Sequence, residues 1–269
     1  MRQLNGIIRI EGLGLHSGKK CTLTLEPCGT PEVMMNEIPL RMLKTNGTNR
    51  GSDYIFPDGS EIRTCEHVLS ALYGTGIYSG VRVNVDGGEM PALDGCAKTL
   101  CNEIMSHSYE DGHEVQSLEV KEPVIVSNEE RTRFIAAFPC DCLHITYTVE
   151  YEKVGAEICD YTHTPANYAA DIAGARTFAM EREIEYLRSH GMALGGTLDN
   201  AILIGDTIRA KGGLRWPDEF VRHKVLDLIG DLSSLGRPLK AHIIALRAGH
   251  ELHLKLTERL KGDKEIARD

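Results

Sequence analysis

Apolar and polar positions alternate through the opening of the chain. Ile7-Ile8-Arg9-Ile10 and Cys21-Thr22-Leu23-Thr24-Leu25 flank a glycine-rich stretch, Gly12-Leu13-Gly14-Leu15-His16-Ser17-Gly18. That pattern predicts two strands joined by a turn. Val81-Arg82-Val83-Asn84-Val85-Asp86 alternates cleanly and predicts a half-buried strand. Helical spacing appears on either side of it. Val68, Leu69, Ala71 and Leu72 lie in a stretch from Thr64 to Gly74, and Leu100, Ile104 and Met105 in one from Ala97 to about His107. Ser106 to Gln116 is polar and almost free of core formers, which places a boundary between an N-terminal domain, 1–110, and a C-terminal domain, 117–269. Beyond it the pattern restarts, with strands expected around Val120–Val126, Thr132–Ala137 and Leu143–Tyr151. Helices are expected near Pro165–Gly174, Met180–His190 and Pro217–Leu235, then a strand, Ala241–Leu246, and a last helix from about His250. Strands followed by helices, twice over, predict an α+β fold of two domains with related architecture. No sequence repeat is strong enough by itself to establish duplication.

Composition narrows the function classes. The chain has 269 residues, 42% of them hydrophobic, so it has the apolar mass for one large core or two medium ones. Its 30 Lys and Arg against 39 Asp and Glu give a net charge of −9, which disfavours binding to nucleic acid or anionic lipid by charge. No apolar run approaches the roughly 18–20 residues of a spanning helix. Met1-Arg2-Gln3-Leu4-Asn5-Gly6 does not open a secretory pattern, so the expected compartment is the cytoplasm. The sequon Asn46-Gly47-Thr48 is then without consequence. The eight cysteines include no Cys-x-x-Cys pair, and reduced thiols are expected. Cys140 and Cys142 fall in a strand-like stretch, where they would share a face.

The richest segment for chemistry is Leu214 to Asp231. Pro217 suits a first helical turn, and Asp218 and Glu219 suit its positive end. At about 100° per residue, His223, Asp227 and Asp231 advance by only ~40° each and form one polar stripe, with Lys224 beside it. His and Asp at i and i+4 can reach one metal ion. The same spacing equally describes an exposed salt-bridge ladder. Thr64-Cys65-Glu66-His67-Val68-Leu69 sets a Glu beside a His at a helix start. A hydrolytic zinc site needs three protein ligands, an open position and a carboxylate beside the water. His67, His223 and Asp227 would fill the ligand places and Glu66 the base. Alternatively, Glu66 only caps its helix and His67 packs. Arg247-Ala248-Gly249-His250-Glu251 puts a third His at a helix start, where an ordinary N-terminal residue is the competing explanation.

Taken together, the motifs resemble a known family. They are the glycine-rich stretch 12–18, Thr64-Cys65-Glu66-His67-Val68-Leu69-Ser70-Ala71-Leu72, and Met90-Pro91-Ala92-Leu93-Asp94-Gly95. Further on come Ala175-Arg176-Thr177-Phe178, Gly195-Gly196-Thr197-Leu198-Asp199-Asn200-Ala201, Asp218-Glu219-Phe220-Val221-Arg222-His223-Lys224 and Ala248-Gly249-His250. In this order they resemble the UDP-3-O-acyl-N-acetylglucosamine deacetylases, zinc enzymes of lipid A biosynthesis. The resemblance implies two α+β domains, each a sheet layered on paired helices, with the active site between them. It implies zinc on His67, His223 and Asp227, with iron(II) tolerated by the same ligands, and Glu66 as general base. It further implies His250 as general acid or electrostatic partner oriented by Asp231, and Thr177 at the oxyanion. Phe178 would touch the substrate, and Lys224 would lie near the sugar or its phosphates. The substrate implied is a small UDP-sugar carrying an acyl chain, and a monomer is expected.

Other positions carry weaker signals. His16 would line the site or merely pack, Arg247 would pair with a diphosphate or sit on the surface, and Asp199 is open between a structural and a functional role. Tyr151 would stack on uracil. Two stretches depart from the family pattern. Residues 29–63 read as shorter than usual and without a strand-rich pattern, and Glu150-Tyr151-Glu152-Lys153-Val154 lacks an Asp-Phe-x-His-Pro pattern. A deacetylase acting on another N-acylated sugar, or a sugar-nucleotide-binding protein without catalysis, are the rival readings.

Overall fold

The structure is a computed structural model and describes residues 1–48, 50–113 and 115–262. Two mixed sheets carry the architecture. In the first, the strands run in the order Ile8–Leu13, Lys20–Pro27, Val81–Asp86, Val33–Met35, Ile38–Pro39. In the second, the order is Val124–Ser127, Phe134–Phe138, Leu239–Leu246, Leu143–Tyr151, Gly155–Thr162, with Leu118–Glu119 added in parallel against Leu239–Lys240. Numbered within its own half, each main path reads 1-2-5-3-4. The strand directions match as well: the fifth strand is antiparallel to the second and parallel to the third. The duplication that residue identities left open is thus visible in the topology.

Each half also places its helices alike. An inner helix precedes the fifth strand and an outer helix follows it. In the first half these are α1 (Glu66–Thr75) and α2 (Lys98–Ser106). The second half first adds α3 (Pro165–Asn167), continued by a π-type turn over Tyr168–Ile172, and α4 (Ile184–Ser189). Its inner and outer helices are α5 (Glu219–Asp231) and α6 (His250–Gly262). Both halves carry an extra small sheet between the fourth strand and the inner helix. One is Lys44–Thr48, Gly51–Ile55, Glu61–Ile62, and the other is Phe178–Met180, Ile202–Ile204, Ile208–Arg209.

Alternation drives the sheets, as expected. Cys21, Leu23 and Leu25 point inward on one, and Leu239, Ala241, Ile243 and Ala245 on the other. The inner helices are less ordinary. Every residue of α1 is buried, so it is a core helix without a solvent face. Two of its hydroxyls are satisfied within the protein: Ser70 donates to Leu226 O at 2.8 Å and Thr75 to Ala71 O at 2.7 Å. A Cβ on Gly230 would lie 2.1 Å from Glu66 O, so glycine there lets α5 close onto the first turn of α1. One continuous apolar cluster joins Leu23 and Val83 of the first sheet, Val68 and Leu72 of α1, Val225 and Leu228 of α5, and Ile243 of the second sheet.

Several expectations need correction. Residues 29–63 are strand-rich, holding Val33–Met35, Ile38–Pro39, Lys44–Thr48, Gly51–Ile55 and Glu61–Ile62. Their strands are short, and Asn, Gly and charged residues interrupt the alternation that would have revealed them. Pro165–Gly174 is helical only over Pro165–Asn167 before the π-type turn, and Met180–His190 begins as the end of a strand and a 3-10 turn before α4. Of Val120–Val126 only the part from Val124 is strand, in Val124–Ser127; a separate short strand, Leu118–Glu119, precedes it, and Pro123, which cannot donate to a ladder, lies between them. The strand Gly155–Thr162 shows no clean alternation, because it opens on glycine and its exposed positions mix Ala156 and Ile158 with Asp160 and Thr162. Cys140 and Cys142 lie in the turn between two strands, with Sγ atoms 4.0 Å apart, rather than on a strand face. Within the polar stretch 106–116, Ser108–Glu110 pairs with Arg2–Leu4 and ties the first half closed. No helix among the described residues is long and apolar enough to cross a membrane.

Candidate metal centre and substrate cavity

The stripe predicted on α5 is not an exposed ladder. His223 is 2% exposed, Asp227 1% and Asp231 1%, because this face of α5 packs against α1 and the start of α6. The first turn of α1 delivers Glu66 and His67 to the same point. His67 Nε2 lies 3.8 Å and His223 Nε2 3.3 Å from Asp227 Oδ1. Oδ1 of Asp227 is buried and accepts no hydrogen bond. A buried carboxylate oxygen without a donor is costly, and two imidazole nitrogens aimed at it are not paired elsewhere in compensation. That is the geometry of three ligand atoms around a divalent cation, and the donor set His, His, Asp suits a transition metal.

Neighbouring groups set the ligands' protonation. Burial, then the adjacent His223, pushes His67 down to about 3, so its imidazole is neutral and can ligate. Burial likewise lowers His223, whose Nδ1–H donates to Ala175 O at 3.0 Å and so turns Nε2 toward Asp227. Burial opposes ionisation of Asp227, but His223, Lys224, His250 and His67 outweigh it and hold the carboxyl well below the usual range. Lys224 Nζ donates to Asp227 Oδ2 at 2.6 Å and lies 5.8 Å from the Phe178 ring centroid.

Glu66 stands beside this set. Burial is the main cause that lifts its carboxyl to about 8; Asp227 and Asp231 add to it, while His250 and the Ser52 amide oppose. The Ser52 N–H donates to Oε2 at 2.9 Å, and Gly51 leaves space for the carboxylate, since a Cβ there would meet Oε1 at 2.9 Å. His250 opens α6. Burial would lower it, but Asp231 and Asp227 raise it to about 9. Its Nδ1–H donates to Asp231 Oδ2 at 2.8 Å, and Nε2 lies 3.5 Å from Asp227 Oδ2.

A cavity of about 590 Å³ opens over these groups. It gathers Glu66, His223, Asp227, Lys224 and His250 with Thr177, Phe178, Tyr151, Arg247 and His16. Its wall also holds aliphatic side chains, among them Leu15, Leu187 and Leu203, with Arg50 and Arg133. Thr177 is held by backbone bonds to Gly95 O and from Ile202 N, both 2.8 Å. The Phe178 ring meets Tyr151 edge-on at 5.2 Å. His16 Nδ1 accepts from Ala193 N at 3.3 Å, while its buried Nε2 has no partner. Arg247 pairs with Glu150 at 3.5 Å. Asp231 and His67 sit behind the wall. Asp199 is outside the cavity, exposed and paired with Lys211 at 2.6 Å.

Sequence reasoning missed Ser52, His253 and Tyr147, which surround Asp231 from behind, and the Arg176–Glu219 pair. His253 was discoverable: three residues after His250 on a helix, it lies within reach of the same neighbour. Ser52 carried no signal, since only the fold brings it to Asp231.

Three side chains placed so that they could hold a metal ion, a buried carboxyl with a raised pKa and a cavity over them suit a metal-dependent hydrolytic centre. Comparison with known proteins is in keeping. The family model for UDP-3-O-acyl N-acetylglycosamine deacetylase matches residues 1–262, and the chain belongs to that family. Among curated proteins named UDP-3-O-acyl-N-acetylglucosamine deacetylase, the one from Oleidesulfovibrio alaskensis is 37% identical, covering 91% of this chain and 84% of its own length. Those from Thermosynechococcus vestitus and Chlamydia muridarum are 36% and 34% identical, covering 95% and 99% of this chain and 92% and 98% of their own lengths.

Proposed function

We propose that this chain hydrolyses the N-acetyl group of UDP-3-O-acyl-N-acetylglucosamine to acetate and UDP-3-O-acyl-glucosamine in lipid A biosynthesis. The observation that carries the reading is the juxtaposition of Glu66 with the His67, His223 and Asp227 set under one cavity. Zinc is the metal assigned, with iron(II) accommodated by the same ligands. When bound, it supplies Lewis-acid polarisation of the amide carbonyl and of the attacking water.

The chain's own groups do the rest. Glu66, as the ionised carboxylate, takes a proton from water as the water oxygen bonds to the acetyl carbon. Thr177 Oγ1 donates to the developing oxyanion, a contribution worth about 3 kcal/mol for a well-placed donor. As the C–N bond breaks, the sugar nitrogen needs a proton, and His250 supplies it, kept protonated by Asp231. Lys224 lies against Asp227 and the sugar or its phosphates, and Phe178 packs on the substrate. Tyr151 and Arg247 are assigned to the nucleotide end, and His16 to the cavity wall. The aliphatic wall suits an acyl chain. Residues 1–110 and 117–269 are read as the two domains, and the protein as a cytoplasmic monomer.

Acetate release from the UDP-3-O-(3-hydroxyacyl) substrate, by metal-stripped protein with and without zinc, tests this reading. Release is expected only with zinc, at one ion per chain, and not from Glu66→Ala. One zinc per chain without release would refute the substrate and direct the search to other N-acylated sugars.

A further inference from the structure

Glu89 is 0% exposed and belongs to neither the metal set nor the cavity wall. It follows the strand Val81–Asp86 in a stretch tied to the approach to α1: Arg63 N donates to Gly88 O at 3.1 Å and Met90 N to Arg63 O at 3.0 Å. Its carboxylate reaches the glycine-rich stretch 12–18. Oε1 accepts from His16 N at 2.7 Å and Oε2 from Ser17 N at 2.8 Å. Oε1 also accepts from the Thr64 hydroxyl at 3.3 Å. Thr64 has φ +57°, a left-handed conformation that a β-branched residue adopts only where its surroundings hold it. Burial opposes ionisation of Glu89, but the Ser17 hydroxyl and the two amides outweigh it and keep the carboxyl below its usual range. A Cβ on Gly14 would lie 2.1 Å from Oε2, so glycine there lets the carboxylate close on the loop.

The loop held in this way closes one side of the cavity. Leu194 N donates to His16 O and Gly195 N to Leu15 O, both at 3.0 Å, and Ala193 N donates to His16 Nδ1 at 3.3 Å. A Cβ on Gly195 would meet Gly14 O at 2.2 Å, so the two loops touch backbone to backbone. Leu15 and His16 from the first half, with Ala193 and Gly196 from the second, line the cavity.

We propose that Glu89 is a positioning residue for substrate binding: by anchoring the His16 and Ser17 amides it sets Leu15 and His16 in the cavity wall and seats their loop against residues 193–195. The proposal rests on the function assigned above only in taking this cavity as the substrate site. A buried anion on two consecutive N–H groups is a stiff anchor, because charge-assisted bonds are strong and an amide left unpaired in the interior is costly. The start of α1 has anchors of its own, Thr64 N on Asp53 Oδ1 at 3.2 Å and Cys65 N on Ser52 O at 3.0 Å. Loss of Glu89 should therefore weaken binding and spare the chemical step.

The test is Glu89→Gln in the zinc-loaded protein, read as KM, kcat and zinc content. Glutamine keeps an oxygen for His16 N and the Thr64 hydroxyl but turns its NH2 toward Ser17 N, so two donors face each other. KM is expected to rise about tenfold or more, with kcat within about threefold and one zinc per chain. Gly14→Ala, at a position without positive φ, pushes the carboxylate away from the other side and is expected to act likewise. Glu89→Asp, which keeps the charge and both acceptor oxygens, is expected to bring KM part of the way back. Hydrogen exchange at the His16 and Ser17 amides should quicken about tenfold in Glu89→Gln while that of Val81–Asp86 holds. An unchanged KM in variants that fold and hold zinc overturns the proposal, as does a fall in kcat at constant KM. Exchange that quickens equally in loop and strand would show a merely structural carboxylate and overturn it too. Absence of turnover in the unaltered protein would instead refute the assigned reaction, and exchange at the two amides would still decide whether Glu89 anchors the loop.

Discussion

The two halves share a strand order, strand directions and helix placement, yet their inner helices, which meet at the site, use the same residue type in opposite ways. Glu66 opens α1 and Glu219 opens α5, and both are buried. Glu66 receives one backbone N–H, from Ser52, and faces two other carboxylates, so its carboxyl is lifted to about 8. Glu219 receives Arg176 through Nε at 2.8 Å and Nη2 at 3.0 Å, with the Arg176 and Arg215 amides as well. Burial would raise it, but Arg176 outweighs burial and lowers it. One glutamate is kept near neutrality beside ligands and cavity. The other is a fixed anion that clamps the chain just before Thr177. What the halves have in common is scaffold; what separates them is where a compensating cation was placed.

The most severe way to break the comparison is at the seam where the halves meet. His67→Ala removes the only metal ligand assigned to the first half, and His223→Ala or Asp227→Ala removes one from the second. Each is expected to abolish one-to-one zinc binding and, with it, acetate release. Metal content after dialysis checks this. Unchanged stoichiometry in His67→Ala would mean that the site belongs to the second half alone.

Next in size is the pair of glutamates. Glu66→Gln keeps the shape and nearly the protonation of a group already close to neutral. It is expected to lower kcat by about 10²–10⁴ while moving unfolding stability by less than about 1 kcal/mol. Glu219→Gln does the reverse. It leaves the Arg176 guanidinium buried without its anion and is expected to cost about 3–5 kcal/mol of stability. Zinc stoichiometry should survive in both. Urea unfolding and single-turnover kinetics on the two variants separate the roles, and equal stability losses would mean that the two glutamates do not differ in this way.

What was legible in the sequence follows from the same contrast. The α5 stripe was legible because i, i+4 spacing is local, and burial then decided between ladder and ligand set. Glu66-His67 was legible as a dipeptide at a helix start, although its meeting with α5 needed the close packing at Gly230. The sheets were legible where alternation is long, as at Val81–Asp86 and Leu143–Tyr151. The strands within 29–63 were not: three have only two or three residues, too few to display a period, and Lys44–Thr48 and Gly51–Ile55 are mostly polar or glycine. Nor was the duplicated 1-2-5-3-4 order, since pairing between distant strands leaves no local trace. Arg176 and Glu219 each stood in a quoted motif, but nothing local says that residues 43 positions apart form a buried pair.

The mildest test is pH, applied to the metal-free protein, where the two glutamates should pull stability in opposite directions. The folded chain retains a proton on Glu66 that the unfolded chain, with an ordinary carboxyl near 4.5, releases between about 4.5 and 8. Unfolding therefore becomes easier as pH climbs through that window, by about 1.4 kcal/mol for each unit between folded and unfolded values. Glu219 is depressed, so its contribution is fully present above its unfolded value and is lost as pH falls below about 4.5. Glu66→Gln is expected to flatten the alkaline loss and leave the acid limb alone, whereas Glu219→Gln flattens the acid limb only. Bound metal should reverse the first effect, because a nearby cation favours the ionised form of Glu66. The alkaline slope should then shrink when zinc is restored to the unaltered protein. A slope that zinc leaves unchanged would place the cation too far from Glu66 for that carboxylate to serve as its base.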